Sequence, residues 1–242
     1  MSEVTLPSME ELLEAGVHFG HTTSRWHPKM KSFLYGKRGG VHIIDLAKTR
    51  EKLAEAVVAV AKTAASGKAV LFVGVKPLAK TAVVEEAVRS GSPFMVNRWI
   101  GGTLTNWPAV NGMIKRMKQL EDDQAAGKLD KYTKKEQLDF MQEREDLKEV
   151  VGGLRDLKGA PSLLFIVDAK YDKTALSEAN KLKIPVVAIC DSNINPGKIT
   201  YPIPANDDAL KSINLISRII ADAVIVGKEK AKAIATEAAV KP

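Results

Sequence analysis

The chain has 242 residues and one cysteine, Cys190. A single thiol closes no internal disulfide and builds no cysteine-rich metal site, which excludes a secreted disulfide scaffold and fits a reducing compartment. No long apolar run is present. The most apolar late stretch, 213–226, carries Arg218 and Asp222 and does not read as a membrane span. The first fourteen residues hold four acids and no base, the reverse of a signal or transit peptide, so a cytoplasmic protein is expected. Phosphate-binding turns are also missing. The turns at 45–49 (Asp-Leu-Ala-Lys-Thr) and 74–78 (Gly-Val-Lys-Pro-Leu) have neither the Gly-x-Gly-x-x-Gly nor the Gly-Lys-Ser/Thr arrangement that wraps amides around a phosphate. Nucleophilic catalysis has little support, because Cys190 ends an apolar run as a buried thiol does, and His18 and His21 fall in a loop rather than on a helix face.

Acidic residues are absent from two long windows. Between Glu14 and Asp45 thirty consecutive residues lack an acid and hold Arg25, Lys29, Lys31, Lys37, Arg38 and all four histidines. Between Glu86 and Glu121 thirty-four more hold Arg89, Arg98, Lys115, Arg116 and Lys118. Aromatic residues make up only 5% of the chain, yet all three tryptophans, Trp26, Trp99 and Trp107, fall inside these windows. Positive charge interleaved with flat stacking surfaces suits a polyanion with stackable bases. The net charge of +7 points the same way without naming the partner.

What is abundant is apolar residue, 45% of the chain, enough for a sizeable core. Ser8 with Glu11 reads as a capping box for a helix over 9–15 stopped by Gly16. The segment to Gly40 has no clean period and reads as a long basic hook with a short hairpin. From Val41 short apolar runs alternate with amphipathic helices: strands at 41–45, 69–73, 94–96, 162–167, 186–189 and 199–203, helices at 46–65, 77–89, 173–182 and 207–226. Runs such as Leu163-Leu164-Phe165-Ile166-Val167 signify strands buried on both faces, so the expected fold is a doubly wound, flavodoxin-like, mostly parallel α/β sheet. The stretch 107–158 differs, with apolar residues at helical spacing on either side of a turn at Gly127 and a start signal at Thr133 with Glu136. Its 113–158 portion balances eleven bases with eleven acids. An inserted antiparallel helical hairpin is expected there, an α/β domain over 1–106 and 159–227, and a flexible tail over 228–242.

The most informative stretch is Arg98-Trp99-Ile100-Gly101-Gly102-Thr103-Leu104-Thr105-Asn106. Gly101 and Gly102 permit close backbone approach or positive φ, and Thr103, Thr105 and Asn106 bring short polar side chains to the same place. For Asn106 and Trp107 a structural role is expected, as helix cap and core residue; for Arg98 a ligand contact is expected. One acidic group stands out. Asp191 follows a strand, and Asp207 with Asp208 opens the helix after the next extended segment, which brings all three to the carboxyl edge of the sheet. Capping is their ordinary role. Magnesium or zinc is the candidate metal, with zinc wanting an added imidazole such as His18 if the hook crosses that edge.

The runs Leu12 to His21, Arg25 to Met30, Val41 to Thr49, Phe72 to Lys76, Arg98 to Asn106, Leu163 to Ala169 and Ile184 to Asn193 resemble, in order, the S-two family of small-subunit ribosomal proteins. The resemblance covers essentially the whole chain. The Gly-Gly-Thr-Leu-Thr-Asn run and the hairpin resemble the bacterial or organellar branch, and the lack of a transit-like start favours the bacterial one. The resemblance implies a non-enzymatic ribosomal protein, a flavodoxin-like domain with a coiled-coil hairpin, that contacts small-subunit ribosomal RNA, joins late in assembly and helps dock the messenger-binding ribosomal protein S-one beside neighbouring small-subunit proteins. On that reading Arg25, Lys29, Lys31, Lys37, Arg38, Arg98, Lys115 and Arg116 contact phosphates, Trp26 and Trp99 stack, and Gly101, Gly102 and Thr103 let the RNA approach. No cofactor, membrane or small-molecule substrate is required. On the residues alone, an α/β enzyme acting on a sugar phosphate or nucleotide and a free-standing RNA chaperone or messenger-binding regulator remain open.

Overall fold

The computed structural model describes residues 4–240. Its centre is a five-stranded parallel sheet built from β4 (Val70–Val73), β5 (Phe94–Met95), β6 (Leu163–Ile166), β7 (Val186–Cys190) and β8 (Tyr201–Pro204), in the order β5-β4-β6-β7-β8. Every residue of β4, β6 and β7 is buried, as expected of strands covered on both faces. Alternation divides them between two cores. Val70, Phe72, Leu163, Phe165, Val187 and Ile189 enter one, while Leu71, Val73, Leu164, Ile166, Val186 and Ala188 enter the other. Phe72 pairs in register with Phe165, their rings edge to face at 5.3 Å.

The first core is roofed by α2 (Leu46–Ala65), α3 (Lys80–Ser90) and α7 (Leu210–Val240). Asp45 starts α2 by accepting the Ala47 amide at 3.0 Å. Gly91 ends α3 in the left-handed conformation, φ 61°. α7 runs on past Gly227 to Val240, where the sequence suggested an end at Val226 and a flexible tail. Lysine, alanine and glutamate there are strong helix formers, and Gly227 is needed for contact rather than termination. A Cβ at Gly227 would lie 2.4 Å from the Ala61 carbonyl oxygen of α2. Lys228 donates to the carbonyls of Ser90 and Gly91 at 2.8 and 2.7 Å and so also caps α3. Residues 241–242 of the expected tail lie outside the described residues.

The second core is covered by α6 (Lys173–Lys181) and by the roots of α4 (Trp107–Ala125) and α5 (Lys134–Val151). α4 contributes Val110, Ile114 and Met117; Val151 of α5 and Leu154 just beyond it close the layer. Thr133 and Glu136 form the reciprocal capping box that starts α5, and Gly127 takes φ 67° in the turn before it. Arg116 binds Glu143 through two bonds of 2.8 and 2.7 Å, and Arg144 bonds Gln124, which ties the two helices together.

The N-terminal region is more ordered than a hook with one hairpin. After α1 (Met9–Glu14), capped by Ser8 and Glu11 as expected, come β1 (Phe19–Thr22), β2 (Leu34–Arg38) and β3 (Val41–Ile44). They form a separate antiparallel sheet, order β1-β3-β2. The strand at Val41 therefore does not open the parallel sheet, as its position in the alternation suggested. Its partners are local, and only Ile44 of its four residues is buried.

Candidate nucleic-acid interface

The hook crosses the carboxyl edge of the parallel sheet and is fastened there by backbone and side chain. The His27 amide donates to the Ser192 carbonyl at 2.7 Å, and the Asn206 amide donates to the Val17 carbonyl at 3.1 Å. Asn206 Nδ2 reaches the Gly16 carbonyl at 3.1 Å. At Gly20 the crossing is tight: a Cβ would sit 3.0 Å from Ser192 Oγ and 3.2 Å from the His42 carbonyl oxygen. Larger side chains do not fit without displacing these groups.

Fastening the hook turns its charge outward. Arg25, Lys29, Lys31, Lys37 and Arg38 are all exposed, and among the described residues none of them has an acidic partner. Tyr35, 82% exposed, stands among them on β2. Trp26 is half-buried with its ring 5.1 Å from that of His42, so part of its stacking surface is already used. Arg98 and Lys115 are likewise exposed and without an acidic partner among the described residues.

The structure places three other expected contacts differently. Trp99 is only 9% exposed and donates its indole N–H to Glu178 Oε1 at 3.1 Å, so it lies in the core rather than on a stacking surface. Thr103 is fully buried, its hydroxyl donating to the Ile100 carbonyl at 2.6 Å. Arg116 spends its charge on Glu143. Gly102 takes φ +92°, the left-handed region that glycine alone enters freely, while Gly101 is exposed with open space about it. Asn106 occupies the first position before α4 but makes no side-chain capping bond; Trp107 packs partly against the second core.

At the sheet's carboxyl edge Asp191, Asp207 and Asp208 converge as expected, but the imidazole that joins them is His21, not His18. His21 Nδ1 lies 2.8 Å from Asp191 Oδ2, and Nε2 lies 3.4 Å from Asp208 Oδ2. His18 packs on Phe19, ring centroids 4.0 Å apart, and burial lowers its pKa. Sequence reasoning missed Lys76, which leaves β4 at the point where the strand order reverses. Its Nζ lies 2.6 Å from Asp208 Oδ1 and 3.1 Å from both Asp207 Oδ1 and Asp168 Oδ2. Its position three residues beyond an apolar strand was the available signal.

These groups set one another's protonation. The hydrogen bond to Asp191 raises His21 above the usual histidine range; burial opposes the rise, and the charges of Asp207 and Asp208 add to it. Burial, with Asp168 and Asp191 nearby, pushes Asp207 up to about 7, although Lys76 pulls it down. Burial would lower Lys76, but Asp208, Asp207 and Asp168 outweigh it and hold the ammonium charged. Asp172, whose carboxylate accepts the Val75 amide at 3.3 Å, is likewise pushed to about 7, mainly by burial. Burial also raises Cys190, an inert thiol in the core. The cluster is a charge-compensated latch that joins hook and sheet. One imidazole nitrogen and three carboxylate oxygens within 4.8 Å of one another also form a donor set that a divalent cation accepts, in competition with Lys76 and the imidazole protons.

The family described as Ribosomal protein S2 matches residues 12–227. The small ribosomal subunit protein uS2 of Rhodospirillum centenum is 48% identical over 220 residues, 91% of this chain and 84% of that protein. Its counterpart in Paramagnetospirillum magneticum is 49% identical over 220 residues, 91% and 83% of the two chains. That of Nitratiruptor sp. is 47% identical over 222 residues, 92% and 83%. The chain belongs to the ribosomal protein S2 family, whose members are structural components of the small ribosomal subunit rather than enzymes.

Proposed function

We propose that this protein is a structural constituent of the small ribosomal subunit that binds ribosomal RNA through its N-terminal hook and Arg98. The observation that carries the reading is the set of exposed cations at Arg25, Lys29, Lys31, Lys37, Arg38, Arg98 and Lys115, held on ordered backbone without acidic partners among the described residues. Gly101 and Tyr35 add an open backbone and an exposed ring. The parallel sheet serves as a platform: it has no phosphate loop, and its carboxyl edge is occupied by the latch. Among the described residues no helix is long and apolar enough to cross a membrane.

The helices α4 and α5 pair as a coiled-coil hairpin that docks neighbouring proteins, among them the messenger-binding ribosomal protein S-one, during late assembly in the cytoplasm. Leu138, 67% exposed, and the exposed Met141 support this, since α5 shows solvent apolar side chains its own core does not use. The metal reading becomes His21, Asp191, Asp207 and Asp208, tested by metal analysis of protein prepared without chelator.

Sucrose-gradient fractionation of a lysate in low-salt, magnesium-containing buffer tests the main reading. The protein comigrates with small subunits and leaves them at high salt; a protein that stays at the top of the gradient throughout refutes it. With about five phosphates neutralised, affinity falls on the order of a few hundredfold between 50 and 200 mM salt, and Arg98→Ala reduces the logarithmic slope by about 1.

A further inference from the structure

The loop after β5 has no acid of its own, yet it is built around one. Glu178, on α6, places its carboxylate under the loop. Oε1 accepts Trp99 Nε1 at 3.1 Å and the Gly102 amide at 2.8 Å. Oε2 accepts the Leu104 amide at 2.9 Å, the Thr105 amide at 3.2 Å and the Thr105 hydroxyl at 3.3 Å. Converging backbone amides of this kind form a nest that binds an anion. In this chain the anion comes from more than seventy residues away, and the left-handed turn at Gly102 aims the amides at it. Burial would raise the Glu178 carboxyl, but donors from Gly102, Trp99, Leu104 and Thr105 outweigh it and hold the group below the usual range.

We infer that Glu178 is the positioning residue of the 98–106 loop, an internal carboxylate that fills the nest and fixes Trp99 inward and Arg98 outward. The inference rests on the reading of Arg98 as an RNA contact and deepens it. The nest is closed to RNA phosphates because Glu178 occupies it. The contacts left to RNA are Arg98, the exposed backbone at Gly101 and the free side chain of Asn106. A loop set before binding loses less conformational freedom on docking, which favours affinity without adding a contact.

The test compares the full chain with its Glu178→Gln and Glu178→Ala variants. In Glu178→Ala the Gly102, Leu104 and Thr105 amides exchange with solvent at least about tenfold faster while β6 amides keep their protection, and formate, but not chloride at equal ionic strength, slows exchange again. Glu178→Gln binds small subunits stripped of this protein roughly tenfold more weakly with the salt slope unchanged, because the cations remain and only their placement is lost. Loop exchange like wild type overturns the inference, as does a loss of protection that β6 shares in step, which marks a merely structural residue. If the wild-type chain itself does not bind the stripped subunits, the RNA reading fails, while the exchange and formate measurements still decide whether Glu178 positions the loop.

Discussion

Replacing His21 with alanine removes the latch from one side and leaves the other in place. The bond lost is charge-assisted, His21 Nδ1 to Asp191 Oδ2 at 2.8 Å, with an acceptor only 1% exposed. Such a bond contributes about 1.5–3 kcal/mol, and the longer contact to the exposed Asp208 adds less than about 1 kcal/mol. Asp191 keeps the amides of residue 21 and Ser192, so the loss stays within that range. The pH dependence has a definite sign. His21 has a raised folded-state pKa, so its stabilisation is fully present below the unfolded value of about 6.5 and is lost as pH rises through the folded value. Asp172 titrates near 7 in both proteins and cancels in the difference; Asp207, already pushed to about 7, moves further up without the imidazolium and trims the loss at low pH. Urea unfolding of wild type and His21→Ala at pH 5.5 and pH 9 measures this directly. The variant is less stable by about 1.5–3 kcal/mol at pH 5.5, and the gap narrows at pH 9. Equal gaps at both pH values refute the charged latch.

Two glycines give opposite signs under the same substitution. At Gly153 a Cβ would lie 2.2 Å from the Phe94 carbonyl oxygen and 2.7 Å from its ring, so Gly153→Ala lowers stability by about 1–3 kcal/mol; at Gly112, inside α4 with open space about it, Gly112→Ala raises it by up to about 1 kcal/mol, and urea midpoints that move in the same direction contradict the packing described. Thr133→Ala breaks the capping box at the start of α5 and costs about 1 kcal/mol, seen as faster hydrogen exchange in the first turn of α5 with α4 unchanged.

The parallel sheet was legible because fully buried strands leave continuous apolar runs, and the caps at Ser8 and Thr133 because their partners stand three residues away. The convergence of Asp191 with Asp207 and Asp208 followed from topology alone. What was not legible depends on partners distant in sequence. His18 and His21 look alike in a loop; the crossing at Gly20 decides which ring reaches Asp191. Trp99 and Arg116 sit in an acid-free window, but their acids, Glu178 and Glu143, come from other helices. Val41–Ile44 has the composition of a core strand and pairs locally. Gly227 has the look of a stop and is a close approach between α2 and α7.

The latch also orders events in time. The amide and ring of His21 find their acceptors at Asp191 and Asp208, 170 and 187 residues later in the chain. Contacts of such separation cannot form during synthesis until the distal segment has been made. The hook acquires its cations within the first forty residues but reaches its final shape only after residue 208 exists, so a chain halted before that point carries the charge without the geometry.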